Sequence, residues 1–298
     1  EAHHVSGDKR KISMKLLNND YLGSRKHLFM SATETKIQIN STSKVGMNDK
    51  TVYGEYAYRM GIREAIDAGI ICDYGLFCCA FRGEDINDLI LSNTDAVSLS
   101  YSITFPVKLK IVLAALSYIS AIKERGVKKT IAYCSTGTEL HFLKYAITKI
   151  AEKNNIPVSC FHVHDICGYA SNNLNLTAFR KCKIPAILCN IQIVSEGFDM
   201  PEIDSSLYCY PKKSSINVIQ SLGRSLRNCQ GKELATIIVP VIVGSDGEVM
   251  REEKLVGNNM TTLLSILRSL HTADSSYNIS NNNPGWAANF MKNKIGVY

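Results

Sequence analysis

Arg224 and Arg227 stand three residues apart in the run Gln220-Ser221-Leu222-Gly223-Arg224-Ser225-Leu226-Arg227. Around them Ile216, Ile219, Leu222 and Leu226 recur at helical spacing, which predicts a helix with those four on its buried stripe and Gln220, Arg224 and Arg227 projecting elsewhere. A helix continuing through Arg227 puts both guanidinium groups on neighbouring positions of one face, where they can converge on one anion. Paired arginines of this kind suit the charge that develops on a phosphoryl group in transfer. Upstream, Ser195 to Asp204 sets Gly197, Asp199 and Pro201 where a strand should end, a composition for a tight turn that presents backbone N–H groups and one carboxylate. Ser135, Thr136 and Thr138 form a second polar group, between an apolar run and a helical pattern. Small hydroxyls at a helix start bind phosphate well, and Thr138 alternatively caps its helix. His162 and His164 alternate along a strand, but no Cys, Asp or Glu cluster of suitable spacing supports them, so no metal site is expected.

These groups need a scaffold whose strands end beside them. Apolar runs predict strands at 74–81, 130–134, 158–163, 186–189, 207–210 and 234–243. Between them lie a long apolar helix opened by Pro106 and ended by Gly126, and another with Leu140, Leu143, Ile147 and Ile150 on one stripe. Strand and helix in alternation imply an α/β fold, a doubly wound parallel sheet with helices on both faces and ligand contacts at the carboxyl ends of the strands. Ahead of this region, 27–33 reads as a short buried strand, 35–51 as a polar loop with little structure, and 62–70 as a short helix closed by Gly69. Beyond it, Met260, Leu263, Leu264, Leu267 and Leu270 make a helical stripe that packs back on the domain. A polar linker at 278–283 follows, and Trp286 and Phe290 begin a further element.

Composition narrows the class. The chain has 298 residues, 45% hydrophobic and 20% charged, enough for one large core or two smaller ones. Ten cysteines without C-x-x-C spacing suggest neither zinc nor a secreted disulfide framework, and a reduced intracellular setting is expected. No membrane span is expected, since no apolar run approaches the roughly 18 residues it requires. A net charge of +7 permits a polyanionic partner without demanding one. The opening Glu1-Ala2-His3-His4 lacks a methionine, so a segment cut from a longer protein is expected.

Ser-Glu-Gly-Phe-Asp-Met-Pro resembles motif V, and Gln-Ser-Leu-Gly-Arg-Ser-Leu-Arg resembles motif VI, of superfamily two helicases and translocases. Glu1-Ala2-His3 is similar to the end of a D-E-A-H box, motif II, and Ser31-Ala32-Thr33 to motif III. The Y-G-E and E-A-I-x-x-G-I arrangement at 53–70 resembles the crossover of restriction-enzyme motors and related viral and phage helicases. The resemblance implies a RecA-like second motor domain at 73–250, with residues 1–72 the end of the first motor domain plus the crossover, and 251–298 a helical tail and polar linker. It implies ATP bound between two RecA-like domains, with Mg2+ whose ligands lie largely outside this chain. Glu1 is then the residue that polarises the attacking water, and Arg224 and Arg227 neutralise charge on the γ-phosphate. Gly197, Asp199, Gln220 and Gly223 fall on the nucleotide, with Asp199 accepting from ribose hydroxyls or pairing with a motif VI arginine. His3, Ser31 and Thr33 couple the motifs, His3 facing Gln220, while Ser135, Thr136 and Thr138, similar to motif IV, contact nucleic acid, DNA in preference to RNA. Attached nuclease or other domains are expected outside the segment.

The leading expectation is therefore the C-terminal motor portion of an ATP-dependent helicase or translocase, inactive by itself. The alternative is a helicase-like module that binds nucleic acid without catalysis. A small-molecule α/β enzyme lacks support, because no G-x-G-x-x-G follows a strand and no G-x-S-x-G elbow appears. Nor does the chain contain a G-x-x-x-x-G-K-[ST] loop.

Overall fold

The computed structural model describes residues 5–18, 23, 26–31, 34–37, 43–82, 88, 105–191, 199–209, 215–243, 266, 269 and 270. They fall into two compact units, 1–60 and 61–298, so the short helix after Gly61 belongs to the second.

In the first unit, β1 (Gly7–Asp8) pairs antiparallel with β2 (Lys44–Val45), and Lys50–Tyr53 makes a single helical turn, α1. The polar loop expected at 35–51 thus holds one strand of that pair, β2, and the start of a helix. Its backbone is fixed by Asn48, whose amide accepts from Ile37 N and donates to Ile37 O, both at 2.9 Å. The buried strand expected at 27–33 is not one. Among the described residues no strand pairs with 26–31. The two-residue alternation survives, with Leu28 and Met30 exposed and the Phe29 ring edge-on to Tyr53 at 4.9 Å.

The second unit is a six-stranded parallel sheet. Its strands are β3 (Asp73–Arg82), β4 (Lys129–Tyr133), β5 (Ser159–Val163), β6 (Ala186–Asn190), β7 (Ser205–Tyr208) and β8 (Leu234–Val243), in spatial order β3-β8-β7-β4-β6-β5. The helices are α2 (Ile62–Asp67), α3 (Phe105–Arg125), α4 (Gly137–Lys153), α5 (Gly168–Lys181) and α6 (Ser215–Ser225). Alternate side chains along each strand feed opposite faces, as the pleat requires. Phe77, Cys79, Ala132, Ile187, Leu207 and Ile238 meet α3 and α4 on one face. Leu76, Cys78, Ile131, Leu188, Ile237 and Val239 meet α2, α5 and α6 on the other. The doubly wound α/β expectation therefore holds. Ile266 and Leu270 are buried in the second cluster, which brings at least that part of the tail onto the domain, while the rest of the expected stripe, Trp286 and Phe290 lie outside the described residues. Among the described residues no helix is long and apolar enough to cross a membrane.

Candidate functional site

Helix α6 carries its buried side on hydroxyls as much as on hydrocarbon. Val218 and Leu222 are fully buried, and beside them Ser221 Oγ sits 2.7 Å from the Tyr208 hydroxyl, while Ser206 Oγ donates to Ser225 Oγ at 3.0 Å. The Tyr133 hydroxyl donates to Ser221 O at 3.0 Å, and the Tyr133 and Tyr208 rings stack at 5.4 Å. Burial pushes both phenols well up from their usual range, with the positive charge of nearby Arg224 acting the other way on Tyr133. These bonds pin the register of α6 against β4 and β7. Sequence reading missed these five anchors, since Ser221 and Ser225 look like surface residues in a helical pattern. Their i, i+4 spacing on the side of Leu222 is the signal that could have found them.

Gln220, Gly223 and Arg224 lie half-buried on α6. Arg227 does not lie on the helix, which ends at Ser225. The expected shared helical face is thereby corrected, and the cause is tertiary. Cys72 N donates to Leu226 O at 2.9 Å, Ile71 and Arg227 form an isolated antiparallel bridge, and Asn228 Nδ2 donates to Gly69 O at 3.0 Å. Pairing with the segment that leads into β3 replaces the next helical turn. Arg227 Nη1 then donates to Asp199 Oδ1 in an ion pair, and Arg180 Nη2 donates to Asp199 O at 3.0 Å. With Asp199 74% exposed and Arg227 33%, that pair contributes at most about 1 kcal/mol and acts as a latch on geometry more than on stability. Lys232 Nζ donates to Pro201 O at 3.2 Å, Ile203 O at 2.6 Å and Arg227 O at 2.7 Å. Burial lowers the Lys232 pKa.

This group lies at the amino-terminal edge of the sheet, not the carboxyl edge that the strand-end rule led us to expect for Asp199. Ile71 precedes β3, Lys232 precedes β8, and Asp204, which follows the same turn, takes the Lys128 and Lys129 amides at the start of β4 at 2.7 and 3.1 Å. Asp199 lies shortly before the start of β7, at Ser205.

The carboxyl edge holds the other polar group. Thr136, not Thr138, is the N-cap of α4: its Oγ1 accepts from Glu139 N at 3.2 Å, and Glu139 Oε2 accepts from Thr136 N and Ser135 N, each at 3.2 Å. Glu139 was missed as a member of this site although Thr136-Gly137-Thr138-Glu139 spells a capping box. Its carboxylate occupies two of the donors a phosphate would use, so the Ser135 and Thr138 hydroxyls and the first free turn of α4 remain for an anion. His164 packs on that turn. Its Nδ1 accepts from Ile166 N at 3.0 Å, which leaves the neutral ring's proton on Nε2, and a Cβ on Gly137 would come within 3.2 Å of that nitrogen. His162 sits 3.0 Å from Lys144 Nζ, and burial, then Lys144, His141 and His164, lowers its pKa. Among the described residues no group of three His, Cys, Asp or Glu side chains is placed to hold a metal.

Ser31 is half-buried in the first unit. Glu1, His3, Thr33 and Gly197 lie outside the described residues.

Residues 108–229 match the family described as the helicase conserved C-terminal domain. Over 247 residues, 83% of this chain, the sequence is 26% identical to a protein named as a helicase, A859L, of African swine fever virus (isolate Pig/Kenya/KEN-50/1950), of which it covers 26%. Over 254 residues, 84% of this chain, it is 27% identical to IRC3 of Saccharomyces cerevisiae, named as an ATP-dependent helicase, of which it covers 34%. The chain thus spans about a quarter to a third of these curated relatives. Among solved structures it is similar in fold to an ATP-dependent Type ISP restriction-modification enzyme, LlaBIII, bound to DNA, with a TM-score of 0.69 and 21% identity, covering 88% of this chain and 18% of that one.

Proposed function

Because the chain carries a helicase conserved C-terminal domain on a RecA-like α/β fold, we propose that it is the C-terminal motor portion of an ATP-dependent helicase or translocase acting on DNA inside the cell. The observation that carries this reading is the Asp199–Arg227 pair just past the end of α6, where two motifs 28 residues apart meet on one carboxylate and one guanidinium. Arg224 and Arg227 stabilise charge growing on the γ-phosphate, and they act as the site closes, so hydrolysis depends on conformation. Asp199 holds Arg227 until nucleotide arrives. Gly197 and Gly223 admit close approach, Gln220 works with His3, Ser31 and Thr33 couple hydrolysis to movement, and Glu1 orients the attacking water beside a Mg2+ held elsewhere. At the other edge of the sheet, Ser135, Thr136 and Thr138 position the backbone of the nucleic acid without reading its sequence. The stretch 1–72 closes the first motor domain and crosses over, 73–250 is the second, and 251–298 is the tail.

The test is a paired measurement on the full-length parent. Arg224→Ala and Arg227→Ala should cut ATP turnover by about 10³ to 10⁵, the range of arginine fingers, and Arg227→Lys should rescue poorly because a point charge lacks the planar fork. DNA affinity at fixed salt should hardly change, since neither arginine belongs to the Ser135–Thr138 group proposed to meet the nucleic acid. Lost DNA affinity with turnover intact would instead favour the module that binds nucleic acid without catalysis.

A further inference from the structure

Lys232 lies outside both motifs, yet its ammonium reaches into both. Its three donors meet three backbone carbonyls, two from the turn that follows Asp199 (Pro201 O and Ile203 O) and one from Arg227 itself. An ammonium has three protons to place, and burying it is costly unless each finds an acceptor, so the three distances of 3.2, 2.6 and 2.7 Å describe a fully used group and not a chance contact. On the far side, the Gly69–Cys72 segment holds the same stretch through Asn228, the Ile71–Arg227 bridge and Cys72 N to Leu226 O. Arg227 is therefore gripped through its main chain from two directions, with only its side chain left to Asp199.

We propose that Lys232 is a positioning residue for ATP hydrolysis, tying the backbone after Asp199 to the backbone of Arg227 so that the guanidinium is presented at a fixed distance from the motif V turn. This rests on the reading of Arg227 as a finger for the γ-phosphate. Lys232 acts through Arg227, whose carbonyl it holds. A segment displaced by about 1 Å at such a site costs on the order of 100-fold in rate, the scale by which the role is judged.

The experiment uses the full-length parent with Lys232→Met, Lys232→Arg, Arg227→Ala and the double variant Lys232→Met/Arg227→Ala, each assayed for kcat, KM for ATP, DNA affinity at fixed salt and thermal midpoint. Lys232→Met should lower kcat roughly 10- to 100-fold with KM and DNA affinity little changed. Lys232→Arg, which keeps the charge and the donors, should recover most of it. The double variant should be no slower than Arg227→Ala alone, because a residue acting through Arg227 has nothing left to position. If Lys232→Met cannot be purified folded, the comparison of Lys232→Arg with Lys232→Gln carries the test, the latter having lost one donor and the charge. Wild-type kcat in Lys232→Met or Lys232→Gln, alongside a collapsed Arg227→Ala, overturns the proposal and leaves the functional reading standing. Losses that multiply in the double variant overturn it too, since they assign Lys232 to general stability. Undiminished kcat in Arg227→Ala removes the functional reading and this proposal together.

Discussion

Gly223 is the residue whose chemistry is least explained by its own chain. A glycine inside a helix costs about 0.8–1 kcal/mol relative to alanine, and a Cβ built at Gly223 meets nothing within 4 Å. The fold therefore gains nothing from the missing side chain, and what needs the space must come from outside the described structure. Under the proposed function that visitor is the nucleotide, or whatever grips it. Gly223→Ala should raise the unfolding free energy of the 298-residue chain by about 0.5–1 kcal/mol, read from the urea midpoint, and lower ATP turnover in the full-length parent. An alanine variant that is more stable and equally fast would show that the open space serves no approach. Arg227 makes the complementary point. Its identity was plain in the sequence, but its place two residues past the helix end depends on a backbone pairing with Ile71 that no local pattern encodes.

At the scale of elements, α6 is held by a hydroxyl seam that behaves as a unit. Ser221→Ala leaves the buried Tyr208 hydroxyl without its 2.7 Å partner and should cost about 1–3 kcal/mol, whereas adding Tyr208→Phe to that variant should cost little more or recover part of the loss. A double-mutant cycle by thermal or urea unfolding checks this, and strictly additive losses would mean the two hydroxyls are not coupled. Much of the element map was legible because burial left a mark: β3 and β8 feed both cores, so they read as continuous apolar runs, and α4 shows its stripe of Leu140, Leu143, Ile147 and Ile150. The carboxyl-edge turn was legible as polar, although the cap fell on Thr136. Helix α5 was missed because Gly168–Lys181 buries only Asn172 and Phe179, which leaves no stripe to read. Strand β7 was placed late because it opens on Ser205 and Ser206, two buried serines whose hydroxyls are satisfied by Thr130 and Ser225. A polar pair of that kind looks like a loop until its partners are known.

For the whole molecule, the question is what this stretch can do by itself. Among the described residues the second unit closes two cores around a six-stranded sheet, and that frame mounts Arg224 and Arg227. Mounting is not catalysis. A finger stabilises only charge that has been brought within reach, and bringing the γ-phosphate and Mg2+ to it is the task of a phosphate loop that this sequence does not contain. The Asp199–Arg227 pair does not resist that later encounter, because an exposed ion pair worth at most about 1 kcal/mol yields readily to a triphosphate of higher charge. The purified 298-residue chain should therefore be folded, with an α/β circular dichroism spectrum and a cooperative melt, and should turn over ATP no faster than its Arg227→Ala variant. Steady-state hydrolysis by the wild-type chain that Arg227→Ala abolishes would refute this, and would mean that a nucleotide site sufficient for chemistry is built from these residues alone.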